Sequence, residues 1–236
     1  MNLTRMLIAP VLIIYVALNI GCNKDDNGND SNATVTDVDG NTYHTVKIGN
    51  QTWMKENLKV EHYRNGESIL QKDCTNWGAN EDPAFCFLND NLANESIYGL
   101  LYNWYAVNDS RNIAPEGWHI PSNTEWQNLI DNVGGQQVAG GNLKEKGTSH
   151  WDSPNEGATD VYGFTALPGG YLDLTSSTNC NQIIPGSNAL FWTINNDISN
   201  PATAYVRGMA YDVPSISDPG ALVYTSTGCS VRCVKD

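Results

Sequence analysis

The sequence predicts an α+β fold, and three observations carry that prediction. Extended runs separated by Asp39-Gly40 and Gly49-Asn50 open the folded part. One well-capped amphipathic helix sits in the middle of the chain, after Pro121. From Gly147 onward helix signals stop, and glycines break the chain into short β-type runs. Strand-rich segments on both sides of a central helix are the pattern of segregated α and β elements.

In chain order, Thr34–Val38, Asn41–Ile48 and Gln51–Leu58 are expected as a three-stranded meander. Asp-Gly supplies the positive φ of a type I′ turn, and Gly-Asn serves the second hairpin. In the middle run His44, Val46 and Ile48 share a face. Asp37-x-Asp39-Gly40-Asn41 resembles the start of a calcium loop but lacks the closing bidentate Glu, so it is read as a turn. Glu61–Ser96 is polar and irregular. In Tyr98–Val107, Tyr98, Leu101, Tyr102 and Tyr105 fall at helical spacing, although the aromatic content also suits a buried strand.

The central helix is the best-specified element. Ser122 and Glu125 make an S-x-x-E capping box, Trp126, Leu129, Ile130 and Val133 repeat at i, i+3, i+4, i+7, and Gly134-Gly135 ends the run. A second short helix is expected at Val138–Lys146, and short strands at Leu190–Ile194, Ala204–Tyr211, Ala221–Tyr224 and Ser230–Val234. The first and last strands are expected to be neighbours.

The N-terminus predicts where the protein works. Arg5 precedes a mostly apolar Met6–Leu18, far short of the ~20 residues that span a bilayer, so residues 1–21 are read as a signal peptide with Gly21 at the cut site. Cys22 then resembles the lipidated cysteine of a bacterial lipoprotein, although Asn19 stands where such boxes favour Leu. Lys24-Asp25-Asp26 resemble the signal that sends Bacteroidetes lipoproteins to the outer face of the outer membrane. Residues 22–34 form a polar tether of ~20 Å by random-coil scaling, and 35–236 the single domain.

Of the 236 residues, 26 are acidic and 13 basic, for a net charge of −13, one unit more negative once Arg5 is removed. With no basic cluster to offset it, this field repels phosphate backbones and excludes nucleic acid as a partner. Seven Trp and eleven Tyr against four Phe supply rings that fill loop-rich cores and also stack on sugars and proteins.

Five cysteines remain after Cys22: Cys74, Cys86, Cys180, Cys229 and Cys233. Export favours disulfides over zinc, for which no C-x-x-C or His spacing exists. Cys74 and Cys86 lie in one long loop and are expected to staple it, a closure worth about 3 kcal/mol in the chain-entropy picture.

Six segments together resemble one family, the Fibrobacter succinogenes major paralogous domain of bacterial surface proteins. They are DVDGNTYHTVKIGNQTWMKENLK at 37–59, YGLLYNWYAV at 98–107, APEGWHIPSNTEWQNL at 114–129, GFTALPGGY at 163–171, FWT at 191–193 and SVRCVKD at 230–236. The resemblance implies a surface location and a distant kinship with C-type lectin-like and formylglycine-generating-enzyme folds, through Trp118, Pro121, Glu125 and Trp126 and the closing V-R-C-V. It implies no established activity. Against the family pattern, Ala114 replaces a frequent cysteine, while Cys229 and the insert holding Cys180 are atypical. A gained Cys180–Cys229 pair would explain the last two departures together, leaving Cys233 as a buried free thiol.

No G-x-S-x-G, H-E-x-x-H, P-loop or GxGxxG motif occurs. The expected function is a non-enzymatic binding or adhesion module for a glycan or protein ligand, anchored in the membrane by its lipid. The runner-up is an enzyme on the formylglycine-generating-enzyme-like scaffold, whose distant relative uses two nearby cysteines with copper; Cys229 and Cys233 resemble that pair superficially, but their expected place within one strand argues against it. A structural surface component is a third reading. The candidate ligand surface is Trp192 and Tyr211 as stacking rings with Asn195, Asn196 and Asp197 as polar partners. The alternative for that run is a solvated turn after a core tryptophan. No cofactor is expected; calcium would be held weakly, since Asp197 is the only acid in Trp192–Asp197.

Overall fold

A computed structural model describes residues 33–78, 81–176, 179–183 and 185–236, with backbone alone at 174–176 and 179–183. The expected signal peptide, Gly21, Cys22 and nearly all of the tether lie outside the described residues. Within them no helix is long and apolar enough to cross a membrane.

The fold is α+β, dominated by antiparallel strands. β1 (Thr34–Thr36), β2 (Thr42–Ile48) and β3 (Gln51–Met54) form the expected meander. The second hairpin has a two-residue Gly49-Asn50 loop between the pair Ile48 and Gln51, and Gly49 takes φ +59°, as the first position of a type II′ turn requires. The first hairpin departs from the expected two-residue turn. Asp37 Oδ1 accepts the Asp39 and Asn41 N–H groups, and Asp37 Oδ2 accepts from the Asn41 amide and the Tyr43 hydroxyl. The side chain thereby organises residues 37–41 into a longer loop, which the Asp37 N–H to Asn41 carbonyl bond closes.

These strands belong to a five-stranded sheet of order β1-β2-β3-β13-β7, in which β7 is Trp118–His119 and β13 is Val234–Lys235. The last strand therefore joins the N-terminal sheet beside β3, opposite Trp53, and not beside β1 as expected. The apolar positions explain the choice, because Trp53 and Val234 are both buried in the core over the central helix.

Residues 61–96 contain β4 (Leu70–Gln71), β5 (Ala84–Cys86) and the start of α1 (Glu95–Tyr98). The aromatic run 98–107 is neither one helix nor one strand. It holds the end of α1, then β6 (Leu101–Tyr102), then α2 (Trp104–Val107), capped by the Asn103 side chain accepting from the Ala106 N–H. β4, β5 and β6 form a small sheet.

The central helix α3 (Asn123–Asn132) has the full capping box: Ser122 Oγ accepts the Glu125 N–H, and Glu125 Oε2 accepts from the Ser122 N–H. Trp126, Leu129, Ile130 and Val133 are all buried, and α4 (Gln136–Leu143) follows the two glycines. Trp126 lies 5.0 Å from the Trp53 ring, 6.0 Å from Phe164 and 5.6 Å from Phe191, centroid to centroid. This aromatic nest locks helix, N-terminal sheet and second half together.

The second half contains a hairpin that the sequence did not announce, β8 (Tyr171–Ser176) with β9 (Asn179–Ile183). It is followed by a three-stranded sheet of β10 (Asn188–Asn196), β11 (Thr203–Ala210) and β12 (Leu222–Tyr224). β8 is held at its root by the Leu172–Gly228 pair, whose N–H and carbonyl groups exchange two 2.8 Å bonds. A Cβ at Gly228 would stand 3.1 Å from Leu172 and 3.2 Å from Trp77, so glycine suits this close approach.

Candidate binding cleft

The residues expected to form a ligand surface are engaged in the fold. Trp192 is fully buried, and its indole N–H donates to the Tyr102 carbonyl at 2.7 Å, so its ring offers no free face to a sugar. Asn195 Oδ1 accepts the Asn123 N–H at 2.7 Å, which ties β10 to the start of α3. Asp197 accepts from the Ser199 N–H and hydroxyl within the β10–β11 turn. Those bonds hold its carboxyl below the usual carboxylate range. Asn196 is exposed. Tyr211 packs against the core cluster around α3, whereas Trp192 belongs to the other large cluster.

Register separates them further. Asn196 stands opposite Ala204, while Tyr211 follows Ala210, the partner of Asn188. At ~3.3 Å per residue the two ends of β10 are roughly 26 Å apart. Residues 192–196 are thus the end of β10, with the turn beginning only at Asp197, and the five residues do not converge.

The cysteine expectations are also corrected. Cys86 and Cys229 are free and fully buried, so neither Cys74–Cys86 nor Cys180–Cys229 forms. Cys86 lies in β5, where its side chain packs with Trp77, Leu88 and Leu101 as a small apolar group. Cys74 is disulfide-bonded to a residue other than these; the Cys180 side chain lies outside the described residues. Cys233 is free and buried. Burial pushes the Cys229 and Cys233 thiols well up, opposite to what a reactive thiolate needs.

The cleft that the fold does build lies between the β8–β9 hairpin and the β10–β12 sheet, with a volume of about 520 Å³. Its β8 wall follows from strand alternation. Leu172 points into the core, so Tyr171 and Asp173 on either side of it face the other way, into the cleft. Leu190 and Val223 are half-buried against the main core and give the cleft an apolar base. Leu222 and Tyr224 line the β12 side, and Tyr224 is 61% exposed. Asn188, Asn200, Thr203 and Thr227 add amide and hydroxyl groups.

Charge in this cleft is one-sided. Among the described residues no Lys or Arg lines it, and Asp173 is the only ionic lining residue. Burial raises the Tyr171 phenol, and the neighbouring Asp173 carboxylate raises it further. Asp197, ionised in its turn, reaches the rim through the Thr203 hydroxyl at 3.5 Å. Among the described residues Asp173 has no ion-pair partner.

Two buried cations elsewhere serve the fold. Arg232 donates to Asn57 Oδ1 and to the Phe164 and Thr165 carbonyls and lies 4.3 Å from the Phe164 ring centroid. Lys144 Nζ donates to three carbonyls, those of Glu156, Ala210 and Val213. Lys144 thereby fills all three of its donors.

Sequence reasoning missed the cleft because its walls come from positions 171–173, 188–190, 200–203 and 222–227. No local motif joins them. The available signal was the pair of tyrosines outside any apolar stripe, Tyr171 after Gly169-Gly170 and Tyr224 next to Thr225.

Residues 46–235 match the family model described as the Fibrobacter succinogenes major domain, so the chain belongs to that family. No curated protein matches it. No solved structure matches it either.

Proposed function

We propose that this chain is a surface-tethered, non-enzymatic binding module whose ligand is a glycan seated in the cleft between the β8–β9 hairpin and the β10–β12 sheet. The observation that carries the reading is Tyr224, a largely exposed ring on the wall of a 520 Å³ cleft. Ligand sites of this size pair apolar and aromatic walls with a few polar groups that fix orientation. Here Tyr171 and Tyr224 offer ring faces, while Asn188, Asn200, Thr203 and Thr227 offer hydrogen bonds to hydroxyls.

An enzyme built on Cys229 and Cys233 would need them as an accessible thiol pair, and both are fully buried and absent from the cleft lining. The architecture, an antiparallel second half that displays loops and a cleft around one capped helix, favours a lectin-like scaffold. The N-terminal segment favours lipidation at Cys22 and display on the outer membrane, facing outward. Fatty-acid labelling of cells should mark the wild-type protein and not Cys22→Ala; an unlabelled wild type would remove the anchor from the account.

A glycan array probed with the wild-type protein and with Tyr224→Ala tests the binding reading. Specific signals that weaken throughout in Tyr224→Ala are expected. Signals identical in the two proteins would place any binding outside the cleft.

A further inference from the structure

The cleft has a feature that a neutral-sugar site does not require. Among the described residues its lining combines two phenol rings with one unpaired carboxylate and no cation. Tyr171 and Asp173 lie on the same side of β8, close enough for the carboxylate to raise the phenol. We propose that the cleft selects an amine-bearing sugar, with the ligand ammonium held between the Asp173 carboxylate and the tyrosine rings. This inference rests on the cleft being the binding site and names the class of glycan that it takes.

The chemistry follows from the parts. An ammonium gains from a carboxylate through a charge-assisted hydrogen bond and from a ring face through its quadrupole. The hydroxyls of the same sugar ring meet the amides and hydroxyls on the β10–β11 side, Asn188, Asn200 and Thr203. That polar side favours a sugar over a lysine side chain, which carries only methylenes behind its ammonium. A calcium ion is a poorer occupant, because it wants six to eight oxygens and several carboxylates, and Asp173 is the one carboxylate among the described lining residues. The long-range field agrees, since a protein of net charge −13 draws cations toward it.

Calorimetry on the full chain decides the matter, with a β-1,4-linked glucosamine tetramer, its fully N-acetylated counterpart and an oligolysine peptide as probes. At mildly acid pH the glucosamine tetramer is expected to bind about tenfold or more tighter than the acetylated one, because acetylation removes the charge and keeps the hydroxyls. That preference should shrink at high salt and vanish in Asp173→Asn. The salt series uses the wild-type protein, so the test stands even if Asp173→Asn folds poorly.

If both tetramers bind equally in wild type and Tyr224→Ala weakens both, the ammonium assignment is wrong while the cleft remains the binding site. If Tyr224→Ala changes no binding at all, the assignment and the cleft reading fail together. No binding of either tetramer overturns the amine assignment and leaves the cleft to the array. Tighter binding of oligolysine than of the glucosamine tetramer, with the same dependence on Asp173, would make the partner a basic peptide and overturn the sugar.

Discussion

Asn195 caps a helix 72 residues away from it in sequence: its Oδ1 accepts the Asn123 N–H at 2.7 Å. α3 thus has two side-chain acceptors at its start, Ser122 from its own capping box and Asn195 from the end of β10. An amide that looked like a ligand group in sequence is a fastener between helix and sheet.

Asn195→Ala should therefore cost about 1 kcal/mol of stability, the usual value of a helix-cap acceptor, and leave ligand binding untouched. Urea melts and a binding titration on the same protein check this. Reduced affinity at unchanged stability would return Asn195 to a ligand role.

Trp126→Ala should destabilise the domain by about 3–5 kcal/mol, as expected for a fully enclosed large ring. The indole nitrogen has no hydrogen-bond acceptor, so Trp126→Phe should cost much less. Comparing the two in denaturant melts separates ring packing from polar contact. A loss under about 1 kcal/mol for Trp126→Ala would mean that the nest around it collapses without penalty.

How far the sequence reaches is clear from these elements. α3 is legible because its cap, its apolar stripe and its glycine stop are all local. The β2–β3 hairpin is legible for the same reason. The β1–β2 turn is misjudged because a side chain decides it: Asp37 captures the two N–H groups and widens the loop. The 98–107 run defeats periodicity because long-range partners take over its backbone. Leu100 donates to Leu58, Tyr102 to Cys229 and Trp104 to Thr225. The cleft is illegible since long-range bridges, Gly170 to Ala189 and Leu172 to Gly228, bring Tyr171 and Asp173 opposite Leu222 and Tyr224.

Cys86, Cys229 and Cys233 should all remain free thiols, slow to alkylate until the protein is unfolded. Differential alkylation followed by non-reducing peptide mapping measures this directly. A disulfide containing Cys86 or Cys229 would contradict the packing described for them.

His119 makes stability depend on pH. Its Nδ1 faces Asp236 at 2.6 Å and its Nε2 faces Glu125 at 2.7 Å, and only the imidazolium can donate from both nitrogens. Burial works to lower its pKa, but the bonds to Asp236 and Glu125 outweigh burial and raise it. Burial likewise works to raise Glu125, and the bonds from Ser122 and His119 outweigh it and lower its pKa. The His119 contribution is fully present below the ordinary histidine value and is lost as pH rises through the raised one. The Glu125 contribution is present above the ordinary glutamate value and is lost as pH falls through the lowered one. Stability from this pair should be greatest between those ordinary values, about pH 4.3 to 6.5, and should decline toward alkaline pH. His119→Gln should flatten the alkaline decline; an unchanged slope would show that the clasp does not titrate in that range.

The most direct measurement sets the two candidate surfaces against each other in one assay. Ligand affinity and melting temperature are measured for Tyr224→Ala and for the double variant Asn196→Ala with Asp197→Ala. Tyr224→Ala is expected to lose about tenfold in affinity with its melting temperature kept, the scale of one stacked ring. The double variant is expected to lose much less. An intact affinity in Tyr224→Ala together with a loss in the double variant would move the site to the β10–β11 turn and contradict the account.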